Sequence, residues 1–389
     1  MGTNGMRDTL PPLDPAAKAL SEALLSKIKS EIQQHGPMSF ARYMEMALYE
    51  PGLGYYRNAL TKIGKLGDFV TAPVISPLFS YCLANQCEEI LMACGGGDIL
   101  EFGAGTGVMA AHILLALAEK KALPDHYYIL EVSGSLKSVQ AETIQAIVPM
   151  HADRVVWLTA LPDTPLQGVV LANEVLDAMP VHQFIFQEGI HERVVDLEKE
   201  ELVFRNGNQK NETLVSEIAQ YDIAFSEGYA SEINLYLKPW IKSIADSFEK
   251  GAILLIDYGF PRHEYYHPDR SMGTVMCHYQ HRSHADPFML PGLQDITAHV
   301  DFTSVAEAAD ENGLTVAGFT HQSSFLMNCG LLSFINEGID EKARFLQNQQ
   351  ILQLTLPSEM GELFKVIGLT KNMHSALMGF SQMNQLMRL

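Results

Sequence analysis

The chain has 389 residues, 47% of them hydrophobic and 19% charged, so it can bury a large core and is not generally disordered. Its 27 Lys and Arg stand against 46 Asp and Glu, a net charge of −19 that repels a phosphate backbone and makes nucleic acid a poor partner. Five cysteines without a Cys-x-x-Cys pair read as reduced thiols. No apolar run reaches the ~18 residues of a membrane span, and the start lacks a signal-peptide core and an Arg-rich transit stretch. The expected location is the bacterial cytoplasm.

Residues 1–14 are polar and Pro-rich, a lead-in. Residues 15–35 predict a helix with Leu20, Leu24, Leu25 and Ile28 at helical spacing. A second helix is expected over 39–49, with Ser39 as N-cap and Phe40, Tyr43, Met44, Ala47 and Leu48 inward. Residues 76–94 read as a third. From residue 97 short apolar runs alternate with amphipathic stretches. The runs are 98–102, 127–132, 154–158, 168–172, 252–258, 314–320 and 363–370. The helical stretches between them include 108–120, 135–147, 232–249, 303–312 and roughly 331–354. Continuous apolar strands alternating with helices predict an α/β fold, a doubly wound, mostly parallel sheet of seven strands covered on both faces. Two segments break the rhythm: 182–206 reads as β-hairpins, and 259–302 is long, aromatic and His-rich. Long segments at the carboxyl ends of strands are where substrate sites are built.

The first of these strands ends in Glu101-Phe102-Gly103-Ala104-Gly105-Thr106-Gly107, and a helix follows at once. Glycines there let the backbone turn sharply and approach a ligand. A dinucleotide loop wants Gly-x-Gly-x-x-Gly, whose third glycine position is Val108 here. The Glu-x-Gly-x-Gly-x-Gly form resembles instead motif I of class I S-adenosylmethionine-dependent methyltransferases. A ribose offers two hydroxyl donors, and Glu131, closing the second strand, is placed to accept both. A bare strand–helix turn and a solvated strand end are the plainer readings of these residues.

Further blocks extend the likeness. They are Phe40-x-x-Tyr43-Met44, Pro51-Gly52-x-Gly54-Tyr55-Tyr56, Gly67-Asp68-Phe69-Val70-Thr71-Ala72-Pro73, Asn173-Glu174-x-x-Asp177-Ala178-x-Pro180-Val181-His182, Ile256-Asp257-Tyr258-Gly259 and the stretch from His281 to Phe302. Together with the glycine loop they resemble the MidA family of methyltransferases, the group with the mitochondrial complex I assembly factor that methylates an arginine. The blocks span about residues 40 to 302. Val74 and Ser80 depart from the Glu and Gly usual in that family.

The resemblance implies a class I methyltransferase, Rossmann-like and seven-stranded. Residues 1–95 would form an N-terminal helical extension with a cofactor-side loop. Residues 96–389 would form the core, with insertions at about 182–230 and 259–302. It implies S-adenosyl-L-methionine as cofactor, held by Asp68, Glu101, Gly103, Gly105, Gly107, Glu131 and Asn173. It implies a protein acceptor, an arginine of a complex I subunit or a similar protein, and a mitochondrial matrix location for eukaryotic relatives.

The loop after the fourth strand should flank the methyl group in such a sheet. Glu174 and Asp177 are therefore the candidate catalytic carboxylates, since a guanidinium stays charged and is oriented by carboxylates. Helix capping is their alternative role. No Asn/Asp-Pro-Pro-Tyr occurs there, which argues against a nucleic-acid base as acceptor. Asp68 reads equally as an Asx-turn, and Asp257 as site carboxylate or strand-end cap. His278, His281 and His284 recur every third residue, but they lack a Cys pair or His-x-x-x-His; a polar cleft wall is expected and no metal. Residues 295–302 alternate as a strand would, placing Asp295, Thr297, His299 and Asp301 on one face, so His299 is a candidate base or substrate orienter. The rival functions are a cofactor-binding assembly chaperone without turnover and a nicotinamide oxidoreductase. The oligomeric state is not legible.

Overall fold

The computed structural model describes residues 13–58, 71–208, 210–335 and 340–389. Helix Pro15–His35 starts behind Asp14 and buries Leu24, Ile28 and Ile32. Strand β1 (Met38–Ser39) leads into helix Phe40–Tyr49, where Ser39 Oγ accepts the Arg42 amide at 3.1 Å and the five residues expected inward are buried. The strands that follow are β2 (Asp98–Phe102), β3 (Tyr127–Leu130), β4 (Val155–Leu158), β5 (Leu166–Asn173), β6 (His182–Phe186), β7 (Ile190–Glu198), β8 (Glu201–Asn206) and β9 (Ala230–Ile233). Then come β10 (Phe248–Phe260), β11 (Met276–Tyr279), β12 (Arg282–His284), β13 (Asp295–Thr297), β14 (Val300–Asp301), β15 (Thr315–His321) and β16 (Phe364–Lys371).

The chain divides into two compact units. One gathers the described residues among 13–58 with 178–236 and 266–298. Among these, β1, β7, β6 and β9 form an antiparallel sheet in that order with β8 on β7, and β12, β11 and β13 form a smaller one. Their core is aromatic: Phe204 lies 4.7 Å from Phe288, Tyr43 meets Phe288 edge-on at 5.2 Å, and the Tyr43 hydroxyl donates to Pro287 O at 2.5 Å.

The other unit holds the described residues among 70–177, 237–265 and 299–389. Its sheet runs β15-β16-β10-β5-β2-β3-β4, with β14 beside the end of β10. Strands β10, β5, β2, β3 and β4 are parallel neighbours, and only β16 runs against them, pairing antiparallel with β10 and β15. The seven strands are the seven apolar runs of the sequence. Strand order reverses between β2 and β5, so the carboxyl ends of those two strands flank the crevice where such sheets bind ligands.

The structure corrects several expectations. Residues 71–94, including helix Pro77–Cys94, belong to the sheet unit. The stretch 232–249 is not one helix: β9 ends at Ile233, a helix runs over Leu237–Asp246 and β10 begins at Phe248. Helix Gln322–Asn328 went unforeseen, and the last long helix spans Glu341–Thr355. The alternating stretch 295–302 is two short strands in different sheets. Its residues do not present a polar face, since Asp295, Thr297, Ile296, Ala298 and Val300 are all buried.

The segment expected as an insertion at 259–302 leaves and rejoins the sheet unit through paired positions. Gly259 pairs with Val300 and Phe260 with Asp301. Arg262 clamps this neck: Nε donates to Asp301 Oδ2 at 3.1 Å, Nη1 and Nη2 grip Glu307 at 2.6 and 2.5 Å, and Nη2 reaches Ser304 at 2.9 Å. Asp301 also caps helix Phe302–Glu311, accepting the Thr303 amide at 3.0 Å. Burial pushes the Asp301 carboxyl up, and Arg262 opposes it. Removing one partner of such a pair strands the other charge. Arg262→Ala should cost about 3 kcal/mol in urea unfolding at neutral pH, and Arg262→Lys should recover part of it, because an ammonium cannot reproduce the fork.

Candidate active site

Three glycines with positive φ, Gly103 (60°), Gly105 (53°) and Gly107 (81°), turn the chain from β2 into helix Val108–Glu119. A side chain on Gly107 would lie 2.9 Å from Gln140 Cα, so the third glycine is required by the close approach of helix Gly134–Ile147. Gln140 is fully buried. Its Nε2 donates to Gly105 O at 3.1 Å and to Glu131 Oε2 at 2.9 Å, and its Oε1 accepts the Trp157 indole N–H at 2.9 Å. One amide therefore ties the glycine loop to Glu131. Sequence reading missed it; the available signal was a polar residue four before the inward Ile144. Glu131 Oε1 accepts the Ser133 amide at 2.7 Å. A carboxylate has about four acceptor sites, so Glu131 keeps capacity for a diol.

Glu101 does not project from the loop. It is buried, and its Oε2 accepts the Tyr127 hydroxyl at 2.6 Å, stitching β2 to β3. Burial pushes its carboxyl up to about 7; the Tyr127 bond opposes this and Glu131 adds to it. Asp68 lies outside the described residues.

The second loop follows β5. Glu174 adopts φ 54°, a left-handed backbone that costs a non-glycine residue roughly 1–3 kcal/mol. Bonds to two residues of β10, Ile256 and Asp257, hold it there. The Glu174 amide donates to Ile256 O at 2.9 Å. Asp257 Oδ2 accepts the Leu176 and Asp177 amides at 3.0 and 3.2 Å, while Oδ1 accepts the Tyr258 amide at 2.9 Å. Of its two readings, Asp257 takes the cap: it is fully buried and shapes the loop. Asp177 is buried as well and accepts the Tyr258 hydroxyl. Asn173 Nδ2 donates to Glu174 Oε1 at 3.0 Å, and its Oδ1 is buried without a hydrogen-bond partner among the described residues. His299 lies with its ring centre 5.2 Å from both Tyr258 and Phe260.

The two loops touch: a Cβ on Gly103 would sit 3.4 Å from Val175 Cγ2. The structure thus gathers Gly103, Gly105, Gly107, Glu131, Asn173, Glu174 and Asp177 at the carboxyl ends of β2, β3 and β5. His299 joins through Tyr258. Burial, then Asp177, then Glu174 push the Asp257 carboxyl well above the usual range. His278, His281 and His284 belong to the first unit, on and around hairpin β11–β12. Among the described residues no three His, Cys, Asp or Glu are grouped to hold a metal.

Residues 82–320 match the family model of S-adenosyl-L-methionine-dependent methyltransferases. The chain belongs to this family. A Burkholderia thailandensis protein crystallised with S-adenosyl-homocysteine is 41% identical, with a TM-score of 0.93 over 98% of this chain and 100% of that one. "Protein arginine methyltransferase NDUFAF7, mitochondrial" from Danio rerio is 28% identical over 90% of this chain and 87% of its own. Its Homo sapiens counterpart is 27% identical over 95% and 86%. The methyltransferase uses S-adenosyl-L-methionine, and its residues suit that group. The unsatisfied Asn173 oxygen can take a donor, Glu131 retains acceptor sites, and the glycine turn exposes backbone with no side chains in the way.

The Glu101 shift has a sign that can be tested. Its folded value, about 7, lies above its ordinary 4.5. Below pH 4.5 it is protonated folded or unfolded and costs nothing; stability then falls as pH rises toward 7. Glu101→Gln should match the parent near pH 4.5 and exceed it by on the order of 2–3 kcal/mol at pH 8, read by chemical denaturation at both pH values.

Proposed function

We propose that this methyltransferase acts on a protein arginine. The observation that carries the reading is the carboxylate cluster beside the glycine turn. Burial first, then the Asp177 and Glu174 charges, raise the Asp257 pKa. A site that resists gathering its own negative charges is relieved by a cationic side chain. The guanidinium, positive at every physiological pH and planar, fits carboxylate acceptors better than a neutral nucleophile would. The naming of the NDUFAF7 relatives as arginine methyltransferases supports the same class, and the MidA resemblance points to a respiratory complex I subunit as the acceptor. The site of action would be the bacterial cytoplasm; the NDUFAF7 relatives are named mitochondrial.

S-adenosyl-L-methionine supplies a methyl group already activated by its sulfonium. Gly103, Gly105 and Gly107 offer it backbone, Glu131 the ribose acceptors and Asn173 an amide oxygen. Glu174 orients the guanidinium, draws its positive charge toward the nitrogens that do not react, and takes the proton shed when the attacking nitrogen gains its methyl. Asp177, fixed by Tyr258, adds a second negative charge behind it. His299, with Tyr258 and Phe260, forms an aromatic wall that excludes water and aligns the side chain.

Incubating the intact chain with labelled S-adenosyl-L-methionine and candidate complex I subunits should label arginine. Glu174→Gln should lower turnover about 10²–10⁴-fold and leave cofactor affinity, measured by calorimetry, within threefold. Cofactor binding without transfer to any protein would favour an assembly chaperone without turnover. Loss of arginine methylation from the host proteome when the chain is deleted would identify the acceptor.

A further inference from the structure

One fully buried amide is satisfied on three sides, and each side has a single polarity. Gln140 Nε2 donates to Gly105 O at 3.1 Å and to Glu131 Oε2 at 2.9 Å, and its Oε1 accepts the Trp157 indole N–H at 2.9 Å. A carbonyl and an ionised carboxylate only accept, and an indole only donates. The amide therefore has one orientation. Turned over, it would set its oxygen against two acceptors and its N–H groups against a donor. The position asks for two N–H donors and one acceptor at one side-chain end. Only an amide supplies them: a hydroxyl or a neutral imidazole is a donor short, and Lys and Arg have no acceptor.

The backbone around the amide is fixed as firmly. A Cβ on Gly107 would lie 2.9 Å from Gln140 Cα and 3.2 Å from its Cβ, so helix Gly134–Ile147 packs directly on the glycine turn at this residue. The same helix is capped by Ser133, whose amide donates to Glu131 Oε1 at 2.7 Å. One helix thus reaches Glu131 twice, from its N-cap onto Oε1 and from Gln140 onto Oε2. Each carboxylate oxygen then has one protein donor and one acceptor position left. Glu131 is itself buried, so those two positions favour a ligand that brings two hydroxyl donors over one that brings none.

We infer that Gln140 is a positioning residue that gives the cofactor site its selectivity for a ribose diol, by holding the Glu131 carboxylate in place before the ligand arrives, with Trp157 anchoring the amide. This rests on Glu131 as the ribose acceptor. A Glu side chain tied at neither oxygen samples several rotamers and loses that freedom on binding. Tied at both, it has lost the freedom in folding, and the cost does not fall on the ligand. The bond to Gly105 O has a different consequence: it holds the turn, which a nucleoside meets with or without hydroxyls. The two roles of Gln140 are therefore separable by the choice of ligand.

The test is calorimetry of the intact chain with S-adenosyl-homocysteine and with its analogue lacking both ribose hydroxyls. The parent should bind the analogue about 100-fold more weakly. In Gln140→Met, S-adenosyl-homocysteine should weaken about 10–100-fold and the analogue much less, bringing the ratio to about tenfold or below. Added to Glu131→Gln, the same substitution should leave the ratio where Glu131→Gln alone puts it, because Gln140 acts through Glu131. Trp157→Phe keeps an aromatic ring, frees the amide oxygen and should lower the ratio about threefold. If thermal unfolding shows that Gln140→Met does not fold, Trp157→Phe decides, and an unchanged ratio there overturns the inference. A parent that binds both ligands alike overturns the ribose role of Glu131 and the inference with it. A parent that discriminates, beside a Gln140→Met that weakens both ligands equally or neither, keeps that role and overturns the inference: Gln140 then only holds the turn.

Discussion

The site depends on one buried carboxylate. Asp257, in the last third of β10, has no access to solvent and satisfies itself on three backbone amides, those of Leu176, Asp177 and Tyr258. Those bonds bind the loop after β5 to the neighbouring strand. Together with the bond from the Glu174 amide to Ile256 O, they hold Glu174 in a left-handed backbone that it would not choose alone. The direction in which Glu174 points is thus a property of β10 as much as of its own loop. An ordinary turn there would relieve the strain and move the carboxylate.

The same arrangement sets the electrostatics. A capping carboxylate is most useful ionised, since its partners are N–H donors; yet burial and the nearby Asp177 and Glu174 charges act against ionisation. On the proposed reading, a cationic acceptor would ease that repulsion, and the attraction orienting it would also favour the ionised cap. Acceptor recognition and loop geometry are then one energetic problem.

Much of this was legible in sequence because it is local. Seven apolar runs became seven strands, and Ser39 capped its helix. What escaped depends on partners distant in the chain. Gln140 is an unremarked helix residue until helix Gly134–Ile147 meets the glycine turn. Asp257 could be read two ways because its amides come from residues some 80 positions earlier. The alternation over 295–302 suggested one strand with a polar face, but periodicity does not reveal where a chain changes sheets, and the pairing of Val300 with Gly259 ends one ladder and starts another. The unit boundaries escaped for the same reason, since each unit is assembled from three separate stretches.

The two loops also divide the work in a way that bears on how such a protein can change. The glycine turn is fixed by sterics: the approach of Gln140 leaves no room for a side chain at Gly107, and Gln140 in turn orients Glu131. The second loop is fixed by hydrogen bonds to one carboxylate. Steric constraints tolerate little substitution but are indifferent to the acceptor, whereas a capped polar loop can exchange Glu174 or Asp177 while Asp257 keeps its amides. If the glycine turn holds the nucleoside and Glu174 and Asp177 face the acceptor, as proposed, nucleoside binding would be the conservative part of this architecture and acceptor chemistry the adjustable part.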